Sequence, residues 1–267
     1  METTIYYFTG TGNSLKAAKD LCEKLNSCEL IPIAKYWEME DLVSTSEKIG
    51  FFFPLYYSGL PKIVLDFAKE LDIDKSNYFF AGVTSAEDLN EYPLQQLEKI
   101  LKAKGKRLNA GILTIMPNNY IIGYDITSEK RQIGLFEKSK KQIDEFFEIV
   151  NNRKDNLDSS VFKKDTGRSE KVNGWFQAEV NTLDKSFHVD DNCNSCGVCE
   201  KVCPVKNIVL IEGIPQWQHK CQHCLACINF CPEKAIQFGE KTLKTGRYHH
   251  PEITFKEIIN QHLELSK

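Results

Sequence analysis

The sequence predicts an open, doubly wound α/β sheet followed by a small α+β domain rich in cysteine. Over residues 1–150, short apolar runs alternate with amphipathic runs of helical period. This alternation is typical of parallel strands connected by helices that cover both faces of the sheet. A loop rich in glycine and hydroxyl groups directly follows the first apolar run. Further along the chain, one cysteine spacing occurs twice between residues 193 and 232.

The elements of the first domain follow from the period of the apolar residues. Strands are predicted over residues 5–8, 29–33, 48–53, 78–84 and 108–115. Helices are predicted over residues 14–25, 61–71, 92–103 and 128–150. The helix over 61–71 begins at a proline, whose missing N–H costs nothing in the first turn. In sheets of this kind, ligands bind beyond the carboxyl ends of the strands.

The loop after the first strand, which we call the glycine loop, has the chemistry of an anion site. It consists of Thr9, Gly10, Thr11, Gly12, Asn13 and Ser14. Its glycines let backbone N–H groups turn inward, its hydroxyls add donors, and the following helix N-terminus favours an anion. Leu15 stands where a dinucleotide-binding loop needs a third glycine, and no Gly-Lys-Ser/Thr is present. The loop suits a phosphate monoester held by hydrogen bonds; the alternative is a turn that only caps a helix.

The two cysteine runs share the spacing C-x2-C-x2-C-x3-C-P, which holds [4Fe–4S] clusters. The proline directs each fourth cysteine away from its own turn, and in two-cluster ferredoxins this cysteine binds the other cluster. Set one is therefore predicted to comprise Cys193, Cys196, Cys199 and Cys231. Set two is predicted to comprise Cys203, Cys221, Cys224 and Cys227.

Zinc and disulfides are the alternative explanations for these cysteines. A zinc site needs four ligands, usually in two separated pairs, which the tandem triplets fit poorly. Disulfides need an oxidising compartment, and the first residues lack the basic stretch of a signal peptide. We therefore expect a cytoplasmic protein. Cys22 and Cys28 lie outside both runs and are expected to pack as ordinary thiols.

Two resemblances follow from these motifs. Residues 187–238 resemble a bacterial two-[4Fe–4S] ferredoxin, with residues 208–211 and 235–238 as short strands. The glycine loop resembles the loop that binds the FMN phosphate in flavodoxin. This second resemblance implies a flavodoxin-like sheet with strand order 2-1-3-4-5 and FMN as a cofactor. The ferredoxin unit is too small to bury much apolar area, so its clusters are expected to hold it folded.

The flavodoxin resemblance also implies the other flavin contacts. Residues 54–61, which we call the tyrosine loop, would place Tyr56 or Tyr57 beside the isoalloxazine and Gly59 near its N5, since Gly59 can adopt a positive φ. The alternative is a tight turn with both tyrosines in the core. The implied contacts outside the glycine loop are Pro54, Tyr56, Tyr57, Ser58, Gly59, Thr84 and Ser85. Residues 116–120 end the last strand and approach either the flavin or the adjoining domain.

Two segments connect and follow these domains. Residues 151–185 form a linker with a helix over 168–183, where Trp175 and Phe176 indicate packing on a domain. The ferredoxin domain spans residues 186–240, and the tail, 241–267, contains a helix over 255–265. His249 and His250 are expected to be exposed or to cap a turn rather than bind metal. The tail is expected to dock on the first domain.

Charge and composition exclude several functions. The formal net charge is −3, so nucleic-acid binding is not indicated, and no apolar run reaches the roughly 18 residues of a membrane span. Each oxidised cluster with four thiolates adds about −2. We therefore expect an acidic protein that binds to basic patches on the surfaces of its redox partners.

The order of the domains resembles the fused flavodoxin–ferredoxin electron carriers of anaerobic bacteria. It implies FMN and two [4Fe–4S] clusters that transfer electrons between a low-potential donor and an acceptor protein, without catalytic residues. The alternative is an FMN-dependent reductase of a quinone or nitro compound, with Asn118, Asn119, Tyr120 and His249 as its candidate residues. A redox sensor is a third class that no motif supports. The oligomeric state is open, with a homodimer as one alternative.

Overall fold

Five parallel strands form the central sheet in the order 2-1-3-4-5, which confirms the flavodoxin-like fold class. The structure is a computed structural model that describes residues 2–38, 41–86, 92–157, 161–164 and 166–261. The strands are β1 (Thr3–Tyr7), β2 (Cys28–Pro32), β3 (Lys48–Pro54), β4 (Tyr78–Ser85) and β5 (Ala110–Ile115). Each lies within two residues of its predicted position.

Four helices connect or follow these strands. They are α1 (Asn13–Cys22), α2 (Lys62–Glu70), α3 (Tyr92–Ala103) and α4 (Glu129–Asn151). α1 packs with α4, and α2 packs with α3. Right-handed crossovers put these two pairs on opposite faces of the sheet, because the strand order reverses at β1. In the described part of the chain, no helix combines the length and apolar character needed to cross a membrane.

Two glycines in the central strands make room for aromatic rings. Gly50 of β3 lies opposite Phe80 of β4, and Gly82 of β4 lies opposite Phe52 of β3. A Cβ on Gly50 would lie 2.4 Å from the Phe80 ring, and a Cβ on Gly82 would lie 2.3 Å from the Phe52 ring. Both rings are fully buried. The two phenylalanines therefore occupy space that any other residue at the facing positions would fill.

The turn between α1 and β2 corrects one prediction. Cys22 and Cys28 form a disulfide instead of packing as separate thiols. α1 ends at Cys22 and β2 begins at Cys28, so the turn brings the two Cα atoms within 5.4 Å. This distance suits a disulfide. The helix therefore ends three residues before the predicted boundary at residue 25.

The segment between the two domains is helical and packed. α5 (Gly167–Glu179) is followed by a 3-10 helix over Val180–Ser186, which confirms the helix predicted there. Phe176 is fully buried, whereas Trp175 is half exposed. The side chain of Asn173, also fully buried, donates hydrogen bonds to the carbonyls of Tyr56 and Leu60. α5 thus packs on the back of the tyrosine loop.

The C-terminal unit contains two small antiparallel sheets and two short helices. Its elements are β6 (Phe187–Val189), α6 (Val198–Val202), β7 (Ile208–Ile211), β8 (Ile214–Trp217), α7 (Ala226–Asn229) and β9 (Ile236–Phe238). β6 pairs with β9, and β7 pairs with β8. The two predicted strands correspond to β7 and β9. The tail forms α8 (Phe255–Ile259); residues 262–265 of the predicted tail helix lie outside the described residues.

We expect Gly50→Ala to lower the free energy of unfolding by about 1–3 kcal/mol, because the new methyl group overpacks against the Phe80 ring. Gly134→Ala is the matched control. Gly134 lies in α4, where a Cβ would meet no atom within 4 Å, so this change should raise the stability by about 0.5–1 kcal/mol. Urea denaturation of both variants measures the effect. If Gly50→Ala and the wild type had equal free energies of unfolding, the Phe80 ring would move aside without cost.

Candidate functional site

A cavity of about 320 Å³ opens at the carboxyl ends of the strands, the edge at which open α/β sheets bind ligands. Its volume lies within the range of small-molecule sites. Every predicted flavin contact lines the cavity except Gly12 and Gly59, and the reductase candidates Asn118, Asn119 and Tyr120 line it too. The cavity therefore unites segments that are far apart in sequence.

The glycine loop presents an open helix N-terminus to this cavity. Gly12 precedes α1 with a φ of 105°, and no side chain caps the helix. The Thr9 hydroxyl accepts a hydrogen bond from the Gly12 N–H at 3.0 Å, and the hydroxyls of Ser14 and Thr84 are 2.7 Å apart. Since Gly12 allows the turn without lining the cavity, its role is in the backbone. The uncapped N-terminus remains suited to an anion.

In the tyrosine loop, positive φ occurs at other residues than the predicted Gly59. The backbones of Tyr56 and Gly59 exchange hydrogen bonds of 2.9 and 3.0 Å, and positive φ values occur at Tyr57 and Ser58, not at Gly59. A two-residue hairpin turn of this type requires positive φ at both central positions. Gly59 faces away from the cavity, where a Cβ would lie 2.5 Å from the Asn173 side chain.

Both tyrosines of this loop have protein aromatic neighbours. The Tyr57 ring stacks on Phe176 with centroids 4.6 Å apart, and its hydroxyl lies 2.9 Å from that of Tyr120. Tyr56 meets Phe8 edge-on at 6.2 Å, and its buried hydroxyl has no hydrogen-bond partner among the described residues. Burial and the nearby Cys224 thiol raise the Tyr56 pKa. Both tyrosines line the cavity, and flavin stacking stays a prediction.

The set-one cysteines surround one small cavity, although Cys231 comes from the second run. Cys193, Cys196, Cys199 and Cys231 all line it. Burial, with a further contribution from Cys231 and Cys196, raises the pKa of the Cys199 thiol to about 11. The fold therefore joins the first three cysteines of one run to the last cysteine of the other.

Set two shows the same exchange and lies deeper in the protein. Burial, followed by the nearby Cys203 thiol, raises the pKa of Cys224 to about 12. Burial and the thiols of Cys224, Cys221 and Cys203 raise the pKa of Cys227. Cys203, Cys224 and Cys227 are buried, whereas Cys196 of set one is exposed. Set one thus contains an exposed cysteine, whereas three cysteines of set two are buried and the fourth, Cys221, is partly buried.

Backbone N–H groups donate to the sulfurs of both sets. Asn207 donates to Cys203, His223 donates to Cys221, and Ala235 donates to Cys231, each at 3.2 Å. Such bonds stabilise thiolates and tune the potential of a bound cluster.

Within the segments that the structure describes, no three His, Cys, Asp or Glu side chains are arranged to hold a single metal ion. A structural zinc ion draws four ligands around one centre, whereas the thiolates around an iron–sulfur cluster bind different irons.

Set two lies directly against the glycine loop. A Cβ on Gly10 would lie 2.2 Å from the Cys224 carbonyl oxygen, and His223, Cys224 and Leu225 form part of the cavity wall. Burial lowers the pKa of His223 to about 4, so its imidazole is neutral at pH 7. Neither of its ring nitrogens has a hydrogen-bond partner among the described residues. No sequence signal predicted that the second cysteine run would line the cavity.

The tail docks on the first domain, as predicted. The His250 N–H donates to the Thr11 carbonyl at 2.8 Å, and the Tyr248 hydroxyl donates to the Asn13 side chain at 2.7 Å. Lys19 of α1 forms an ion pair with Glu257 of α8. The tail thus packs against the glycine loop and is hydrogen-bonded to it.

The paired histidines behave as the sequence indicated. His249 is exposed and stacks on Phe230 with centroids 5.0 Å apart. His250 is buried and accepts a hydrogen bond from the Glu252 N–H, which closes the turn before α8. Neither residue lines the main cavity.

Comparisons with known proteins agree with this site. A family model described as a 4Fe-4S binding domain matches residues 190–206 and 218–237. One component of an ion-translocating oxidoreductase complex from Methanosarcina acetivorans is 36% identical over 70 residues, which cover 26% of each chain. An uncharacterized polyferredoxin-like protein from Methanocaldococcus jannaschii is 48% identical over 46 residues, which cover 17% of this chain and 20% of that protein. The chain thus spans about a quarter or less of these relatives.

Two solved structures are also similar. A Bacteroides uniformis protein described as a flavoprotein has 18% identity and a TM-score of 0.33, with coverage of 43% of this chain and 90% of that chain. The Trp repressor binding protein of Bacillus subtilis has 13% identity and a TM-score of 0.35, with coverage of 52% and 95%. The fold assignment depends on the strand order and not on these scores. The chain thus combines a flavodoxin-like sheet with a segment that matches a 4Fe-4S binding domain.

We expect Cys231→Ala to remove the same cluster signal as Cys196→Ala, because both residues line the set-one cavity. Cys203→Ala should instead match Cys224→Ala. Iron content and the electron paramagnetic resonance spectrum of the reduced protein distinguish the two outcomes. A Cys231→Ala spectrum that matches Cys224→Ala would overturn the exchange of the fourth cysteines.

Proposed function

We propose that this chain transfers electrons between two [4Fe–4S] clusters, bound by sets one and two, and an FMN bound in the main cavity. The observation that carries the proposal is the position of Cys224, which belongs to set two and lines the cavity. A cluster bound by set two would be separated from a flavin only by the wall that Cys224 helps to form. The fused flavodoxin–ferredoxin carriers that the sequence resembles have this combination of cofactors.

The cavity fits FMN by the chemistry of its lining. The open N-terminus of α1 and the hydroxyls of Thr9, Thr11 and Ser14 would hold the phosphate. The glycine loop carries no Lys or Arg, so the phosphate would be held by hydrogen bonds alone. The tyrosine loop and residues 84–85 would flank the ring. Bound FMN accepts one or two electrons, whereas a [4Fe–4S] cluster passes one at a time. The protein contributes spacing and hydrogen bonds that tune these potentials.

The difference in exposure between the two sets supports set one as the place where a redox partner binds. Cys196 of set one is exposed, and exposed apolar side chains of β7 and β8, Ile211 and Ile214, lie nearby on the hairpin. Set two is covered by the first domain. A redox partner would therefore meet the chain at set one. The named relatives, an oxidoreductase component and a polyferredoxin-like protein, support exchange with other iron–sulfur proteins.

The asparagines nominated for the reductase alternative already have hydrogen-bond partners within the protein. The Asn118 side chain bonds to the Asp125 carbonyl and the Tyr120 N–H, and that of Asn119 bonds to the Thr11 hydroxyl. His249 lies outside the cavity. The residues nominated to position a substrate therefore hold loops together instead.

Protein purified without oxygen should contain one FMN and about eight irons per chain. Flavin absorbance after acid extraction and a colorimetric iron assay measure both. Four irons or fewer would refute the two-cluster proposal, and the absence of flavin after reconstitution with FMN would refute the flavin proposal. Saturating turnover of the reduced protein with a quinone or nitro compound would instead favour the reductase.

Gly10→Ala should lower both FMN affinity and set-two iron content, because the methyl group would collide with the Cys224 carbonyl. Gly174→Ala in α5 is the matched control, since a Cβ there meets nothing within 4 Å. Fluorescence titration with FMN and iron analysis should show a loss in the first variant and none in the second. Wild-type values for Gly10→Ala would mean that the contact between glycine loop and set two is loose.

A further inference from the structure

Asn229 occupies a central position between the two cysteine sets. It ends α7, between Cys227 of set two and Cys231 of set one, and its side chain is only 3% exposed. Its Nδ2 donates to the Leu225 carbonyl at 2.9 Å. The ligands on both sides of Asn229 depend on bound clusters for their positions, so the position of this side chain depends on them too.

One arm of hydrogen bonds runs from Asn229 to the glycine loop through the end of β5. Asn229 Nδ2 donates to the Asn119 carbonyl at 3.2 Å. Asn119 Nδ2 in turn donates to the Thr11 hydroxyl oxygen at 2.9 Å. That hydroxyl lines the main cavity, and the hydrogen bond from Asn119 leaves its own proton free to donate there.

A second arm runs through the tail. Asn229 Oδ1 accepts a hydrogen bond from the Tyr248 N–H at 2.9 Å. The Tyr248 hydroxyl donates to Asn13 Oδ1 at 2.7 Å, and Asn13 Nδ2 donates to the Pro117 carbonyl at 2.9 Å. Tyr248 is 3% exposed. Both arms therefore end on the glycine loop, at residues that flank Gly12.

The two arms make Asn229 sensitive to displacement. Its amide reaches three different segments, and a buried amide that loses a partner is left with an unsatisfied polar group, which is unfavourable. α7 therefore cannot shift without either breaking an arm or moving Thr11 and Asn13 with it. A movement of α7, which lies between the two cysteine sets, is therefore coupled through the Asn229 side chain to a movement of the glycine loop.

We infer that Asn229 is a positioning residue that couples the assembly of the clusters to the binding of FMN at the glycine loop. This inference rests on the proposed function. Because such coupling is reciprocal, bound FMN stabilises the clusters, and assembled clusters strengthen FMN binding. Asn229 lines neither the main cavity nor the set-one cavity and acts through the two arms.

The test compares iron loss with and without FMN. The protein is challenged with an iron chelator under anaerobic conditions, and the loss of cluster absorbance is followed with and without saturating FMN. In the wild type, FMN should slow the loss about five-fold or more, which is the lower end of typical coupling. In Asn229→Ala the ratio of the two rates should fall close to one. The FMN dissociation constant of this variant should rise about ten-fold.

Asn181→Ala is the matched control. Asn181 donates its side-chain amide to the Cys221 carbonyl at 3.1 Å, so it also supports set two, yet no hydrogen bond in the described part of the chain leads from it to the glycine loop. This variant should keep the wild-type ratio even if its iron is lost faster. A ratio near one in the wild type, or an unchanged ratio in Asn229→Ala, overturns the inference. Failure of the wild type to bind FMN at all would instead refute the proposed function.

Variants outside the cysteine runs keep the test decisive if Asn229→Ala does not assemble clusters. Asn119→Ala removes the bond to Thr11, and Tyr248→Phe removes the bond to Asn13. The double variant should reduce the ratio towards one, whereas Asn152→Ala, at an exposed residue whose amide donates to Glu148 of α4, should not change it. A wild-type ratio in the double variant also overturns the inference.

Discussion

The contact between Gly10 and the backbone of Cys224 is the constraint on which the rest of the structure depends. With no side chain at residue 10, the second cysteine run reaches the carboxyl edge of the sheet, and a Cβ there would lie 2.2 Å from the Cys224 oxygen. This contact turns two separate sites into neighbours. The same loop that carries the uncapped N-terminus of α1 also packs directly against set two, so Gly10 makes room for the backbone of Cys224.

Polar bonds and apolar contacts together hold the ferredoxin unit in this position, and Val202 and Ala226 belong to the core of the first domain. A unit of this size buries little apolar surface by itself. The buried amides of Asn173 and Asn229 and the hydroxyl of Tyr248 bridge α5, α7 and the tail to the loops around the cavity. Hydrogen bonds of this kind are directional, so they set distance and orientation more closely than apolar contact would. They therefore fix where set two lies relative to the main cavity.

Local patterns predicted most of the first domain because its elements depend on period and turn chemistry. Each of its strands was located within two residues, and the strand order followed the flavodoxin resemblance. The misplaced features depend on partners distant in sequence or space. Gly59 packs against Asn173 of a later helix, so the left-handed backbone falls at Tyr57 and Ser58. The Cys22–Cys28 disulfide depends on how α1 meets β2, and neither residue lies in a recognisable motif.

By itself the sequence determined the eight cysteines, their spacing and the chemistry of the glycine loop, because each is encoded in short segments. It could not determine which cysteine set lies beside the cavity. The two cysteine runs have the same spacing, so local pattern treats them as equivalent. Only the tertiary structure distinguishes them: Cys224 packs under Gly10, while Cys196 stays exposed. Long-range packing at one glycine thus decides which set faces the flavodoxin-like domain and which set keeps an exposed cysteine.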